Sequence, residues 1–270
     1  MTFTDHSTPS LFVTIVVKSL VMRIIWTAII VVCFCVFGVV AQSKEAVKMP
    51  PANAGAAKNF SAEVELAKLA LAAHGGDKLK SMKTLVVKGS VDVTTSAIAQ
   101  AIPATFITIF SGDKYRFEIA NPFQPLKQVF DGTKTSSTIR GGFTLPPINR
   151  LGFPLLPRLG EQGFVITSLP ESKGKKKGFR MTSPEGLYTD FYLDEKTNQI
   201  KGYDSTYDIE GRSVTTSVEI DKYRVVEGIT IPEKYAQRFD TEQLTIYANF
   251  KAKEIVVNSE ITDSIFSLAE

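Results

Sequence analysis

Few side chains in this sequence could carry chemistry, and their positions narrow the choice further. The 270 residues include two cysteines, two histidines and one tryptophan. Cys33, Cys35 and Trp26 fall within one uncharged apolar run, Ile24 to Ala41, and His6 precedes it. Beyond that run no cysteine remains and His74 is the single histidine. Disulfide frameworks, thiolate zinc sites and cysteine nucleophiles are thereby excluded from the rest of the chain. A Ser-His-Asp arrangement would have to use His74, and no GxSxG elbow presents a serine to it. His74 stands beside Gly75 and Asp77 where a helical pattern ends, so it is expected to serve the terminal carbonyls and the helix dipole rather than a metal.

The remaining chemical motifs fail on spacing. GxGxxG, GxxxxGK[ST] and HExxH are absent, and Lys173-Gly174-Lys175-Lys176-Lys177-Gly178 lacks the geometry of a phosphate cradle. Asp204 and Asp208 could pair as acid and base, but alternation places both on a wet strand face with Thr206, where solvated charge is ordinary. The lysine run reads as a solvated loop, with anionic headgroups or an acidic partner as the functional alternative. Neither an enzyme nor a cofactor or metal is expected. Lys18 and Arg23 against Asp5 account for +1 of the net charge of +3, leaving too little for a nucleic-acid footprint.

Three parts are expected along the chain. Residues 1–41 read as a secretory signal, with Ile24–Gly38 as its apolar core, Val39-Val40-Ala41 before a cleavage point and Met22 as an alternative start. An uncleaved anchor is the rival reading, because the apolar run approaches a bilayer span. Either way Lys18 and Arg23 keep the N-terminal flank inside and send the body across the membrane. Residues 42–60, rich in Lys, Pro, Ala and Gly, form a flexible linker. Residues 61–270 form the working domain.

That domain opens with one helix, 62–73, capped by Ser61, stopped by Gly75-Gly76 and presenting Val64, Leu66, Leu69 and Leu71. From Thr84 the period becomes two. Leu85, Val87, Val91 and Val93 alternate with Lys88, Ser90 and Asp92, and similar runs continue to residue 258. Gly112-Asp113, Asp131-Gly132, Asp194–Asn198, Glu210-Gly211 and Glu227-Gly228 mark hairpin turns. About ten or eleven one-sided antiparallel strands must curl to hide their dry face, and a single helix cannot cover it. The dry face points inward, since Lys114, Arg116, Glu118, Glu219, Asp221, Lys251 and Lys253 occupy the other, which excludes a porin-like barrel. Phe143–Gly160 supplies a second cover: prolines 146, 147, 154 and 157 keep it out of a ladder while its large apolar residues demand shelter. It reads as a lid with short helical turns or, equally, as a core plug.

Phe191–Ile200 (FYLDEKTNQI), Tyr223–Pro232 (YRVVEGITIP) and Val257–Phe266 (VNSEITDSIF) resemble phrases of the LolA-like superfamily of periplasmic lipoprotein carriers. The resemblance spans about residues 61–270. It implies a mainly β, α+β fold: an unclosed, strongly curved antiparallel barrel with an N-terminal helix and a lid on an apolar concave face that holds acyl chains without a cofactor. The cavity arginine of the well-studied carriers falls near Gly112 and is not carried over. The implied ligand-binding residues are Val87, Val91, Phe106, Phe110, Phe117 and Phe130 on the wall, with Leu145, Ile148, Leu151, Phe153, Leu155 and Leu156 on the lid. The expected function is periplasmic, monomeric binding or carriage of a lipid or lipoprotein acyl chain, with inner- or outer-membrane proteins as further partners. The alternative is an envelope sensor or interaction module of the same fold with a filled cavity.

Overall fold

A computed structural model describes residues 60–268 except 97, 122–124, 139–143, 145–146, 175, 210–211 and 241–244. The expected signal, nearly all of the expected linker and Leu145 therefore lie outside the described residues. The chain begins with helix α1 (Ser61–Ala73) and a short second helix, α2 (Asp77–Lys80). Strands follow as β1 (Thr84–Thr95), β2 (Ile98–Ser111), β3 (Lys114–Ala120), β4 (Leu126–Phe130) and β5 (Thr135–Ser137). After the proline-rich segment come β6 (Val165–Thr167), β7 (Gly178–Thr182), β8 (Tyr188–Leu193), β9 (Ile200–Ile209), β10 (Arg212–Val226), β11 (Ile229–Asp240) and β12 (Thr245–Val257).

All twelve belong to one antiparallel sheet in the order β5-β4-β3-β2-β1-β12-β11-β10-β9-β8-β7-β6. Strands consecutive in sequence are neighbours throughout, with one exception. β5 and β6 form the two free edges, and the proline-rich segment carries the chain from one to the other. The sheet is curved and unclosed, and its opening lies where that segment crosses. The twelve strands exceed the ten or eleven expected; β5 spans only three residues and cannot display a period of two.

Register confirms one dry face. Leu85 pairs with Phe110 and Val257, Val91 with Ala104 and Phe250, and Phe250 with Tyr235. The row continues through Ile220 with Tyr235 and Val218 with Tyr203 to Tyr203 with Phe191 and Phe191 with Phe179. The alternate rows carry charge: Arg116 opposite Val129, Glu118 opposite Lys127, and Lys234 opposite Lys251. Curvature is helped by bulges, one between Lys88 and Gly89. A β-carbon on Gly89 would collide with Lys251 O and the Phe106 ring, so glycine lets Phe106 fold across the strand. Pro103 is accommodated because β2 outruns β3, whose pairing begins at Thr105.

The helix lies against β6, β7 and the turn at 153–158. Its buried face is shifted from the expected one: Ala67 and Ala70 are fully buried with Leu66 and Leu71 packed beside them, whereas Leu69 is 47% exposed. Small residues allow the helix backbone to approach the strands closely, so the larger side chains flank the contact. Ser61 is the first helical residue rather than the cap, and Phe60 holds the N-cap position without a side-chain cap bond. At the other end Gly75 has φ +115° and abuts Gly228 O, which ties the helix terminus to the β10–β11 turn. The C-terminal turn Asp263–Phe266 covers the outer face at β3, where Arg116 Nη1 donates to Ile265 O at 2.6 Å.

Candidate functional site

The inner face divides into two regions. Along β7–β9 it is filled, with Phe179, Met181, Phe191 and Ile200 fully buried. Along β2–β4 aromatic side chains remain half-buried: Phe110 pairs with Tyr115, Phe117 with Thr108 and Gln128, and Phe130 with Tyr115. Of the six wall residues expected, Val87, Val91 and Phe106 are buried in the core, while Phe110, Phe117 and Phe130 form this accessible row. Tyr115 and Phe130 stack at 5.9 Å between ring centroids, and Gln128 Nε2 donates to Tyr115 Oη at 2.7 Å.

The proline-rich segment forms two 3-10 turns, Ile148–Arg150 and Phe153–Arg158. Phe153, Leu155, Leu156 and Leu159 join the main apolar cluster with Ala67, Ala70, Phe179 and Ile200. Leu155 and Leu156 are 0% exposed; Ile148 and Leu151 are half-buried. In this state the segment fills the inner face as a plug. Its backbone bonds are mostly its own, including Leu155 N–H to Gly152 O at 3.0 Å and Leu159 N–H to Leu156 O at 3.1 Å. Gly152 N–H also reaches the sheet, donating to Thr189 Oγ1 at 3.0 Å.

Charges hold the segment across the opening. Asp113, in the β2–β3 turn, receives Arg158 Nη1 at 2.7 Å and Arg150 Nη1 at 3.4 Å on the same oxygen. Arg150 also meets Glu185 of the β7–β8 turn at 3.4 Å, and Arg158 meets Glu161 at 2.5 Å. Asn149 Nδ2 donates to Asp113 O at 2.6 Å. Composition alone did not single out these residues, since Gly112-Asp113 reads as a turn. The available signal was two arginines inside an otherwise apolar run.

His74 is structural: its backbone N–H bonds the helix carbonyls of Ala70 and Leu71, but its ring reaches past them to other strands. Ile200 N–H donates to Nε2 at 3.0 Å, which makes Nε2 the acceptor and leaves the proton on Nδ1, donated to Thr230 O at 2.8 Å. The ring thus pins α1 to β9 and β11, packing 5.1 Å from Phe153 and 5.0 Å from Tyr223. Burial lowers its pKa below the ordinary 6.5, against the opposing bond to Thr230.

The other chemical candidates resolve as structure. Burial works against ionised Asp204, yet Lys173 and Tyr192 bond to it and hold its pKa below the usual carboxylate range, opposite to the need of a general acid. The Asp208 side chain lies outside the described ones. The lysine run folds onto its own protein: Lys173 on Asp204, Lys176 over the Tyr192 ring at 4.3 Å, and Lys177 on Glu195 O and Asn198. Lys175 is outside the described residues. Among the described residues no cluster of metal ligands is present and no helix is long and apolar enough to cross a membrane.

No family model matches the chain, nor does any curated protein. Among solved structures it is similar to a DUF1329 family protein from Desulfovibrio piger, 10% identical, covering 77% of this chain and 97% of that one with a TM-score of 0.45. It is also similar to a LolA superfamily protein from Nitrosomonas europaea, 8% identical, covering 76% and 97% with a TM-score of 0.47. A third is a domain from Vibrio parahaemolyticus assigned to outer membrane lipoprotein sorting, 9% identical, covering 77% and 97% with a TM-score of 0.42. The fold assignment rests on the strand order and register above. A curved, unclosed antiparallel sheet with an N-terminal helix is the architecture expected from the sequence.

Proposed function

We propose that the chain is an exported, non-enzymatic binder or carrier of a lipid, lipoprotein acyl chain or similar apolar ligand in a bacterial cell envelope, working in the periplasm. The observation that carries this reading is the half-buried row Phe110, Phe117 and Phe130 beside a plug that is not laddered to the sheet. A chain sliding along β2–β4 would exchange contacts with the plug for contacts with the wall. At ~0.8 kcal/mol per buried methylene, about ten methylenes contribute about 8 kcal/mol, comparable with the 4–15 kcal/mol that association costs. No polar chemistry is required of the wall, in keeping with an apolar lining and a rim of charge.

Native mass spectrometry of the full chain, expressed with export and released gently, tests the proposal. Copurifying lipid is expected. Ligand-free protein that also fails to bind a fluorescent fatty-acyl probe would sink it. That outcome would favour the second reading, an envelope sensor or protein-interaction module, whose support is the filled inner face at Phe179, Met181 and Phe191.

A further inference from the structure

We infer that the paired arginines at the sheet opening, Arg150 and Arg158, form the headgroup site of the ligand and take an anionic phosphate group in place of the Asp113 carboxylate. This rests on the acyl-binding reading and adds the polar half of the ligand to it. Both guanidinium groups converge on one atom, Asp113 Oδ1, so both lie within reach of a single phosphate. Their exposures differ from those of their partners. The arginine side chains are 16% and 24% exposed, whereas Asp113 and Glu185 are 49% exposed and Glu161 is 43% exposed.

That asymmetry decides which groups are permanent. A guanidinium remains charged at any relevant pH and, when mostly buried, requires an anion beside it. A half-exposed carboxylate in a two-residue turn can rotate into water at small cost. The two arginines are therefore the fixed part of the site, and Asp113 is its exchangeable occupant. Replacing that monoanion by a phosphodiester keeps the charge around the arginines unchanged, with Glu161 and Glu185 still holding their outer sides. A phosphodiester offers a free oxygen to each guanidinium, a match that a single shared carboxylate oxygen does not provide.

Two further observations orient the ligand. Asn149 is buried and donates through Nδ2 to Asp113 O, but among the described residues its Oδ1 has no hydrogen-bond donor. An acceptor without a donor, on a side chain tied to the residue that both arginines meet, suits a hydroxyl carried next to a phosphate, as in a phosphoglycerol headgroup. The turn bearing Asp113 joins β2 to β3, the strands whose inner face carries Phe110 and Phe117. A headgroup at the turn therefore places its acyl chains at the start of the half-buried aromatic row. Entry of the phosphate also breaks both ion pairs between the segment and the Asp113 carboxylate, leaving the bond from Asn149 to its carbonyl, so recognition of the head loosens the cover beside the wall.

The test is displacement of a fluorescent fatty-acyl probe from the full chain by dioleoyl phosphatidylglycerol and by dioleoylglycerol, with inorganic phosphate as a separate competitor. The wild type is expected to prefer phosphatidylglycerol by about tenfold or more, the scale of one charge-assisted hydrogen bond. Asp113→Asn removes the internal competitor and is expected to widen the preference severalfold. Arg150→Gln with Arg158→Gln is expected to abolish it while dioleoylglycerol still displaces the probe. Equal affinity for the two lipids overturns the headgroup site and leaves acyl binding standing, as does an unchanged or smaller preference in Asp113→Asn. Inorganic phosphate binding as tightly as the phospholipid also overturns it, in favour of a free-phosphate site. If neither lipid displaces the probe, the acyl-binding reading fails and this inference with it.

Discussion

Replacing Leu155 and Leu156 together by serine is expected to unfold most of the domain. A lid built of apolar residues would, on composition alone, lose ligand uptake while the sheet stayed intact. Both leucines are instead fully buried in the cluster that joins α1 to the inner strands. Truncating one buried leucine costs about 2–5 kcal/mol, and a buried hydroxyl without a partner adds about 1–3 kcal/mol. The pair therefore costs on the order of 6 kcal/mol or more, comparable with the ~5–15 kcal/mol that holds a typical domain together. Thermal unfolding followed by circular dichroism is expected to show a Tm lower by more than about 12 °C, or no cooperative transition. A Tm within a few degrees of wild type would mean that residues 153–159 contribute little to the core and behave as a loose cover. Burial does not make the segment immobile, because its amides bond mainly within short turns and are expected to exchange faster than those of β10.

The second large effect belongs to His74. His74→Ala removes the acceptor for Ile200 N–H and the donor for Thr230 O, leaving two buried backbone groups unpaired beside a small cavity. The expected loss is about 3–5 kcal/mol. The pH dependence has a defined sign. The folded pKa lies below 6.5, so the unfolded chain takes up the proton more readily. Stability is complete above pH 6.5 and is lost as pH falls from there through the lower folded value, by up to about 1.4 kcal/mol per unit. The carboxylates held below their ordinary values, Asp204 and Glu233 among them, add their losses only at lower pH. Wild-type Tm is expected to drop between pH 6.5 and 5, and the His74→Ala transition, though lower, to stay level over that window. A wild-type Tm that does not change between pH 6.5 and 5 would contradict the neutral, doubly bonded ring.

What the sequence revealed follows from how local each determinant is. Alternation in β1 and β12 was legible because one face is dry and the other wet along their length, and Glu227-Gly228 marked its hairpin because both residues adopt positive φ there. β5 was hidden because three residues cannot show a period. The buried face of α1 was partly legible: Leu66 and Leu71 pack on the core, but the close approach of helix to sheet centres the contact on Ala67 and Ala70 and leaves Leu69 exposed. The partners of His74 lie more than a hundred residues away, and the meeting of Asp113 with Arg150 and Arg158 depends on how the segment crosses the opening. Such contacts are products of the tertiary fold, with no local pattern to announce them. The inner face was partly legible: alternation placed six residues there, and the structure shows Val87, Val91 and Phe106 buried and Phe110, Phe117 and Phe130 half-buried.

The central claim, that an acyl chain lies along the inner face of β2–β4, can be tested with a single-tryptophan reporter. Trp26 is the one native tryptophan, so Trp26→Phe gives a silent background. Phe117→Trp then places a reporter on the inner row, and Tyr247→Trp places a control on the outer face, where Tyr247 is exposed and pairs with Thr94 and Arg238. The measurement is fluorescence quenching by a phospholipid with dibrominated acyl chains, which acts only at close range. The structure predicts saturable quenching of Phe117→Trp at equimolar lipid and none of Tyr247→Trp. Equal quenching at both positions, or quenching confined to the outer face, would contradict a ligand held inside the sheet.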